Sequence, residues 1–402
     1  MNKTTNWLDQ VIEVQIEKVA HGGIFVARHE GRVVFVSHVL PGEIAKVRVF
    51  EDKGGSFCRA EPVEIIQASP DRVPHIWKNA ELAGGAEFGH IKLSRQRELK
   101  ADVLEEGLQR FAGIEMRVPV QAAPGDDEAN GLGYRTRVQL HVDENGDAGP
   151  YRERSHEVVR VRKLPLAVSE IEELGIHLKN WQDVKKIEIA YSSTGQLQWT
   201  IDKKLKGEEK FIERAGGRTF RLSPGAFWQV HKEAANLLAN EVVGMAKAQG
   251  FDPQAQNYDL YGGVGLFSGA LANAFGLDLK ITTVEASKTA AEDAKRNLVD
   301  IKGAKSVALP TERFLDELAS HGALKAKSTI IIDPPRAGAG KHVIERLLEL
   351  SPTHLIYVAC DPIALSRDLK PLTEAGYKIQ KISAFDLFPH THHFETIVSL
   401  VK

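Results

Sequence analysis

NYDLYGGVGLFSGALANAFGLDLKITTVEAS, residues 257–287, decides the fold. A short apolar strand runs into the turn Tyr261-Gly262-Gly263-Val264-Gly265, a helix opens from that turn, and a second strand ends in Glu285. Open α/β sheets bind ligands at the C-terminal ends of their strands, and glycines there let the backbone approach a ligand closely. Glu285 stands where a carboxylate accepts hydrogen bonds from a ribose diol. Together these features predict a nucleoside-bearing cofactor and leave its identity open, since a nicotinamide enzyme would look similar.

The same alternation extends to the C-terminus. From about residue 224 the chain repeats helix, short apolar strand and turn, as in HKEAANLLANEVVGMA, STIIIDPP and HLIYVAC. Strands alternating with helices predict an α/β doubly wound, Rossmann-like domain with a parallel sheet. One strand delivers Asp333 followed by Pro334 and Pro335. Two prolines remove two backbone donors and fix φ, so the loop is rigid at the mouth of the sheet. The next strand delivers Cys360 to the same edge. An isolated cysteine is more often a buried apolar residue than a nucleophile, and the strand-end position is what marks this one. Near the C-terminus, FPHTHHFE ends in Glu395, a candidate for proton transfer. Its three histidines, with one acid and no cysteine nearby, make a poor metal set, and no metal is expected.

Ahead of residue 224 the character is different. Residues 11–66 alternate at period two in VIEVQIEKV, RVVFVSHVL, EIAKVRVFED and FCRAEPVEII, with turns at Gly22-Gly23 and Pro41-Gly42. This predicts an OB-like barrel; a single-stranded nucleic-acid platform and a β-module without a ligand stay equally open. Leucines at helical spacing predict a helix over Leu93–Phe111. A second β-rich stretch runs from about 133 to 221. There Arg135 and Arg137 share one strand face, as do Arg160 and Arg162, giving either a basic RNA-facing surface or a solvated one. The expected organisation is a barrel over residues 1–68, a central β-rich, RNA-facing domain over 69–221 and a catalytic domain over 222–402. The helix at 93–111 is expected to pack on the last of these.

Composition agrees and adds limits. The chain has 402 residues, a net charge of −2 and two cysteines, Cys58 and Cys360. Two thiols cannot build a disulfide framework and suit a reducing compartment. No apolar run reaches the roughly 18–20 residues that span a bilayer, and MNKTTNWLDQ lacks the apolar stretch of a secretory signal. A cytoplasmic monomer with no membrane association is expected. Cys58, in the barrel segment, is expected to be structural.

The order DLYGGVG, VEAS, DPPRAG, YVACDP, FPHTHHFE, with FWQVH before it, resembles the RNA (uracil-5-)-methyltransferase family, and residues 11–66 are similar to the TRAM domain that many members carry. The resemblance implies a class I methyltransferase acting on carbon 5 of a uridine in structured RNA, ribosomal RNA favoured and transfer RNA the alternative, with no DNA partner. It implies that Gln229, Tyr261, Glu285 and Asp333 contact S-adenosyl-L-methionine, that Cys360 is the nucleophile and that Glu395 accepts the proton. Relatives with an iron–sulfur cluster carry cysteines where this chain reads VPHIWKNAELAGGAEFGH and Leu164, so no such cluster is expected; Ala83, Ala86 and Leu164 are expected to fill the space with apolar packing. The chain departs from the family pattern at Asp361, where a second negative charge would disfavour a thiolate unless it is hydrogen-bonded away, and at His231 and Leu266. Residues 309–312 align too loosely to assign. An amino-methyltransferase acting on an exocyclic base nitrogen is a second reading, although it would have no use for Cys360 or Glu395. A catalytically retired RNA-binding protein is a third, and it would be expected to have lost them.

Overall fold

The computed structural model describes residues 6–78, 83–152 and 155–402. Residues 79–82, inside the stretch compared with cluster-bearing relatives, lie outside the described residues.

The N-terminal strands β1 (Val11–Ala20), β2 (Ile24–His29), β3 (Arg32–Val36), β4 (Ile44–Glu51) and β5 (Phe57–Gln67) form a closed barrel in the order β1-β2-β3-β5-β4. Alternation does the work: Ile12, Val14 and Ile16 turn inward while their polar neighbours face water. Cys58 lies in this core, 1% exposed, and burial raises its thiol pKa.

Helix α1 (Leu93–Gly107) continues into a π-helical turn, Leu108–Ala112, which left-handed Gly113 ends. Its buried positions follow helical spacing and serve two cores. Leu99 packs into the barrel; Ala101, Leu104 and Leu108 pack under the large sheet. Lys100, on the same helix, is 1% exposed and donates to Asp386 Oδ1 at 2.5 Å and to the Phe388 carbonyl at 3.2 Å. Removing one partner of a buried pair strands the other charge, at a cost of about 3–5 kcal/mol. Lys100→Met should therefore lower the denaturant midpoint clearly, and an unchanged midpoint would contradict this account of α1.

Next come β6 (Val120–Ala122), β7 (Arg137–Val142), β8 (Ala148–Gly149), α2 (Ser169–Glu172), β9 (Lys186–Tyr191), β10 (Leu197–Ile201) and β11 (Lys204–Gly207). All but β6 and α2 build an antiparallel sheet in the order β11-β10-β9-β7-β8. Arg137 does not face solvent. Its guanidinium is tucked against Glu213 at 3.1 Å, with side chains 16% and 4% exposed, and burial lowers its pKa. Alternation says which residues share a face, and here that face is covered. Arg160 and Arg162 are exposed, Arg160 beside Asp147. Ala83, Ala86 and Leu164 are buried: Ala86 against Tyr134 and Leu166, Leu164 in the core of the central sheet.

The hairpin β12 (Phe211–Ala215) and β13 (Arg218–Leu222) precedes α3 (Ala234–Ala248), and its apolar side packs with α3 and α4. The remaining elements are β14 (Asn257–Leu260), α4 (Leu266–Phe275), β15 (Lys280–Glu285), α5 (Lys288–Asn297), β16 (Gly303–Ala308), α6 (Thr311–Ala319), β17 (Thr329–Ile332), α7 (Gly340–Leu350), β18 (His354–Ala359), α8 (Pro362–Glu374), β19 (Lys378–Asp386) and β20 (Glu395–Val401). They form an eight-stranded sheet, β16-β15-β14-β17-β18-β20-β19-β6, parallel from β16 to β18 and antiparallel on either side of β20. Strand β6, from the segment assigned to the central domain, completes its far edge beside β19. Strands β17 and β18 are buried on both faces: Ile331 and Ile356 face α3 and α4, while Ile330, Ile332 and Leu355 face α7 and α8. The chain runs outward from β14 to β16, then crosses back to β17. That reversal opens a crevice beyond the ends of β14 and β17.

Candidate active site

The turn after β14 is built for close approach. Tyr261 adopts φ 60°, Gly263 φ 53° and Gly265 φ 93°, and Gly265 caps α4. A Cβ on Gly262 would lie 2.4 Å from Thr283 Cγ2, so the turn sits flush on β15 only with glycine there. Asp259, fully buried, accepts from Ser268 N at 3.0 Å and Ser268 Oγ at 2.7 Å, tying α4 to β14. Burial pushes its carboxyl up to about 6. Glu285 accepts from Gly263 N at 3.1 Å and Ser287 N at 2.7 Å. Two backbone donors thus fix its carboxylate at the rim of the turn, where a ribose diol would meet it.

Asp333 follows β17, and its amide donates to the Leu260 carbonyl at 3.3 Å, which locks the Pro334–Pro335 loop against β14. Burial first, and then Asp259, pushes its carboxyl up to about 7. Cys360 follows β18. Ala359 pairs with Thr396 in antiparallel register, so Cys360 and Glu395 stand at adjoining strand ends. Glu395 is 6% exposed; burial and then Asp333 raise its pKa well above the carboxylate range, and Arg336 opposes the shift. The Cys360 thiol is pushed up to about 12 by burial, then by Glu395 and Asp333, again with Arg336 opposing.

That value makes the free protein's Cys360 a thiol at neutral pH. Its thiolate fraction is roughly 10³-fold below that of an ordinary cysteine. Iodoacetamide at pH 8 should modify Cys360 at least about 100-fold more slowly than a free thiol, with the rate still climbing above pH 10. Peptide mass spectrometry reads this directly, and labelling at the free-thiol rate would contradict it.

The crevice has a volume of about 1120 Å³, and its lining brings together Gln229, Tyr261, Glu285, Asp333, Cys360 and Glu395. It also holds residues to which sequence reasoning assigned no role in the crevice. Arg336, exposed after the two prolines, reaches within 3.4 Å of His393 Nε2. An arginine directly after two prolines at a sheet mouth was the available signal. Arg135 lines the crevice, and Phe227 stands 72% exposed there. The three histidines of FPHTHHFE diverge. His390 is buried between Gln96 and the Asn130 carbonyl, His392 approaches Glu87, and His393 faces the crevice.

Two of the departures from the family pattern, His231 and Asp361, find physical accounts. His231 is buried, stacked 5.0 Å from Tyr134, with Nε2 3.1 Å from both Asp126 oxygens. Asp361 is hydrogen-bonded away from the thiol. Its Oδ1 caps α8 by accepting from Ile363 N and Ala364 N, and its Oδ2 lies 2.7 Å from His21 Nε2 of the barrel. Burial alone would raise the Asp361 pKa; His21 and the helix amides hold it low. Residues 309–312 lead into α6, whose first residue, Thr311, is buried.

Comparison with known proteins adds the family. Residues 217–402 match the model of the tRNA (uracil-5-)-methyltransferase family, and residues 9–63 match the TRAM domain. An uncharacterized RNA methyltransferase of Streptomyces avermitilis is 39% identical, the alignment covering 96% of this chain and 97% of that protein. One from Bifidobacterium longum is 32% identical over 97% and 96%. The crystal structure of Pyrococcus abyssi tRNA (uracil-54, C5)-methyltransferase in complex with S-adenosyl-L-homocysteine superposes with a TM-score of 0.71 at 20% identity, covering 96% of this chain and all of that one. No helix among the described residues is long and apolar enough to cross a membrane. The chain belongs to the S-adenosylmethionine-dependent RNA (uracil-5-)-methyltransferase family and carries a TRAM domain in its N-terminal part.

Proposed function

We propose that this RNA methyltransferase acts on carbon 5 of a uridine in structured RNA, through a covalent Cys360–uracil adduct resolved by Glu395. Ribosomal RNA is the favoured substrate and transfer RNA the alternative. The observation that carries the reading is the adjoining position of Cys360 and Glu395 in one crevice with the glycine turn and Glu285.

Carbon 5 of uracil is a poor nucleophile. When Cys360 gives up its proton to solvent and its thiolate adds to carbon 6, the ring's electron pair moves toward carbon 5 and the neighbouring carbonyl, and carbon 5 becomes nucleophilic. S-adenosylmethionine, when bound, supplies an electrophilic methyl on a sulfonium cation, and Gln229, Tyr261, Glu285 and Asp333 would hold it. Once carbon 5 carries the methyl, Glu395 in its carboxylate form takes the proton from carbon 5, the carbon 5–carbon 6 double bond re-forms and the thiolate leaves. Arg336 is the cation that favours the charged forms of both Cys360 and Glu395. A stacked or paired base cannot reach this pair, so the target must be flipped out or unpaired.

Glu285→Ala should weaken S-adenosylmethionine binding about 10-fold or more, since charge-assisted hydrogen bonds contribute ~1.5–3 kcal/mol. Calorimetry tests this, and unchanged affinity would remove Glu285 from the cofactor site. The function itself is tested by mapping 5-methyluridine in total RNA of a strain lacking the gene. A uridine methylation missing from ribosomal RNA supports the reading, and one missing from transfer RNA redirects the substrate. A missing N-methylated base in place of 5-methyluridine would overturn the reaction.

A further inference from the structure

A second, smaller cavity of about 200 Å³ also reaches Cys360 and shares Arg336 and His393 with the crevice. Its walls are mixed: Val19 and Ala20 from the barrel, Phe88 ahead of α1, Leu99 and Val103 on α1, and Phe394 give apolar surface. His21, Lys100, Arg336, Asp361, His392 and His393 supply polar and charged groups.

The barrel forms one side of this cavity through the β1–β2 turn, His21-Gly22-Gly23. His21 Nε2 sits 2.7 Å from Asp361 Oδ2, next in sequence to Cys360. Gly23 has φ 72°, and a Cβ there would lie 2.9 Å from His392 Cβ, so glycine permits the approach. The turn is therefore fitted to the catalytic edge at two points, one polar and one steric.

We propose that this cavity holds the base of the nucleotide adjoining the target uridine in the same RNA strand, so that the barrel turn reads the substrate at the reaction centre. This rests on the covalent-uracil reading above. Once the target base occupies the crevice, its neighbour is tethered to it through a single phosphate, and a cavity that shares residues with the crevice lies within that tether. The apolar side of the cavity, with Phe88 and Phe394, suits the face of a base. Arg336, common to both cavities, offers the forked donor geometry that fits the connecting phosphate. His21 and His392 can hydrogen-bond a base edge. The tether itself selects this occupant over a free small molecule or a protein side chain.

The test uses the full-length protein and synthetic RNA stem-loops carrying the uridine identified by mapping. Three versions are compared: intact, abasic on the 5′ side of the uridine, and abasic on the 3′ side. One abasic RNA should lose at least tenfold in kcat/KM with the natural protein while the other loses little, which also identifies the side. Ala20→Phe, which fills the cavity from the barrel, should lose at least tenfold on intact RNA and show no further loss on the sensitive abasic RNA. Should Ala20→Phe fail to fold, as judged by lost S-adenosylmethionine binding, His21→Ala serves instead and should reduce the intact-to-abasic ratio at least threefold. Insensitivity to both abasic positions, an equal Ala20→Phe loss on intact and abasic RNA, or an unchanged ratio in His21→Ala would each overturn the proposal. Adduct formation by Glu395→Gln on intact RNA separates the two failures. If the adduct forms while the abasic effects are absent, the neighbour site alone falls; if no adduct forms, the covalent reading has failed first.

Discussion

Glu395→Gln is expected to stop turnover by roughly 10²–10⁴-fold, the range contributed by a positioned general base, and to leave enzyme and RNA covalently joined. Glutamine keeps the size and hydrogen-bonding outline of the buried glutamate, so the fold and the crevice should persist. The substitution also removes a carboxylate that raises the Cys360 thiol pKa, so addition to carbon 6 should not suffer. What is lost is the acceptor for the carbon 5 proton, and without that step the sulfur cannot leave. A slow-migrating species on a denaturing gel, dependent on S-adenosylmethionine and destroyed by ribonuclease, is the expected result. Free methylated product released at the normal rate would exclude Glu395 as the base.

Cys360→Ala should lose roughly 10⁴-fold or more of methylation, as removal of a covalent nucleophile does in other enzymes, and should give no adduct. The residue is only partly buried at a strand end, so truncation to alanine should barely disturb packing, and S-adenosylmethionine affinity should be retained. Retained binding with lost chemistry separates this outcome from misfolding. Full turnover by Cys360→Ala would end the nucleophile assignment.

The fold and the strand-end positions of Glu285, Asp333 and Cys360 were legible because their signals are local. Period-two alternation drew the barrel strands, and glycines at left-handed positions marked the turn after β14. Open α/β sheets bind ligands at the C-terminal ends of their strands, so the place of Asp333 and Cys360 at the mouth of the sheet could be read off strand boundaries. What stayed hidden depends on contacts distant in sequence. His21 and Asp361 are 340 residues apart, and nothing in either segment names the other; without that contact Asp361 looks like a second negative charge beside the thiol. Arg137 illustrates a different limit. Its strand pattern told which residues share a face, but the hairpin carrying Glu213 covers that face. The same holds for β6 and the β12–β13 hairpin, which lie at or before residue 222 and pack with the large sheet and its helices.

The covalent mechanism is the central claim, and RNA with 5-fluorouridine at the target position tests it most directly. Fluorine at carbon 5 replaces the proton that Glu395 would remove, so the reaction should stall after methyl transfer. The measurement is mass spectrometry of the digested enzyme–RNA complex formed with S-adenosylmethionine. The account predicts a Cys360-containing peptide bearing a nucleotide that carries both the methyl group and the fluorine. Methyl transfer with no adduct, or an adduct on any residue other than Cys360, would contradict it.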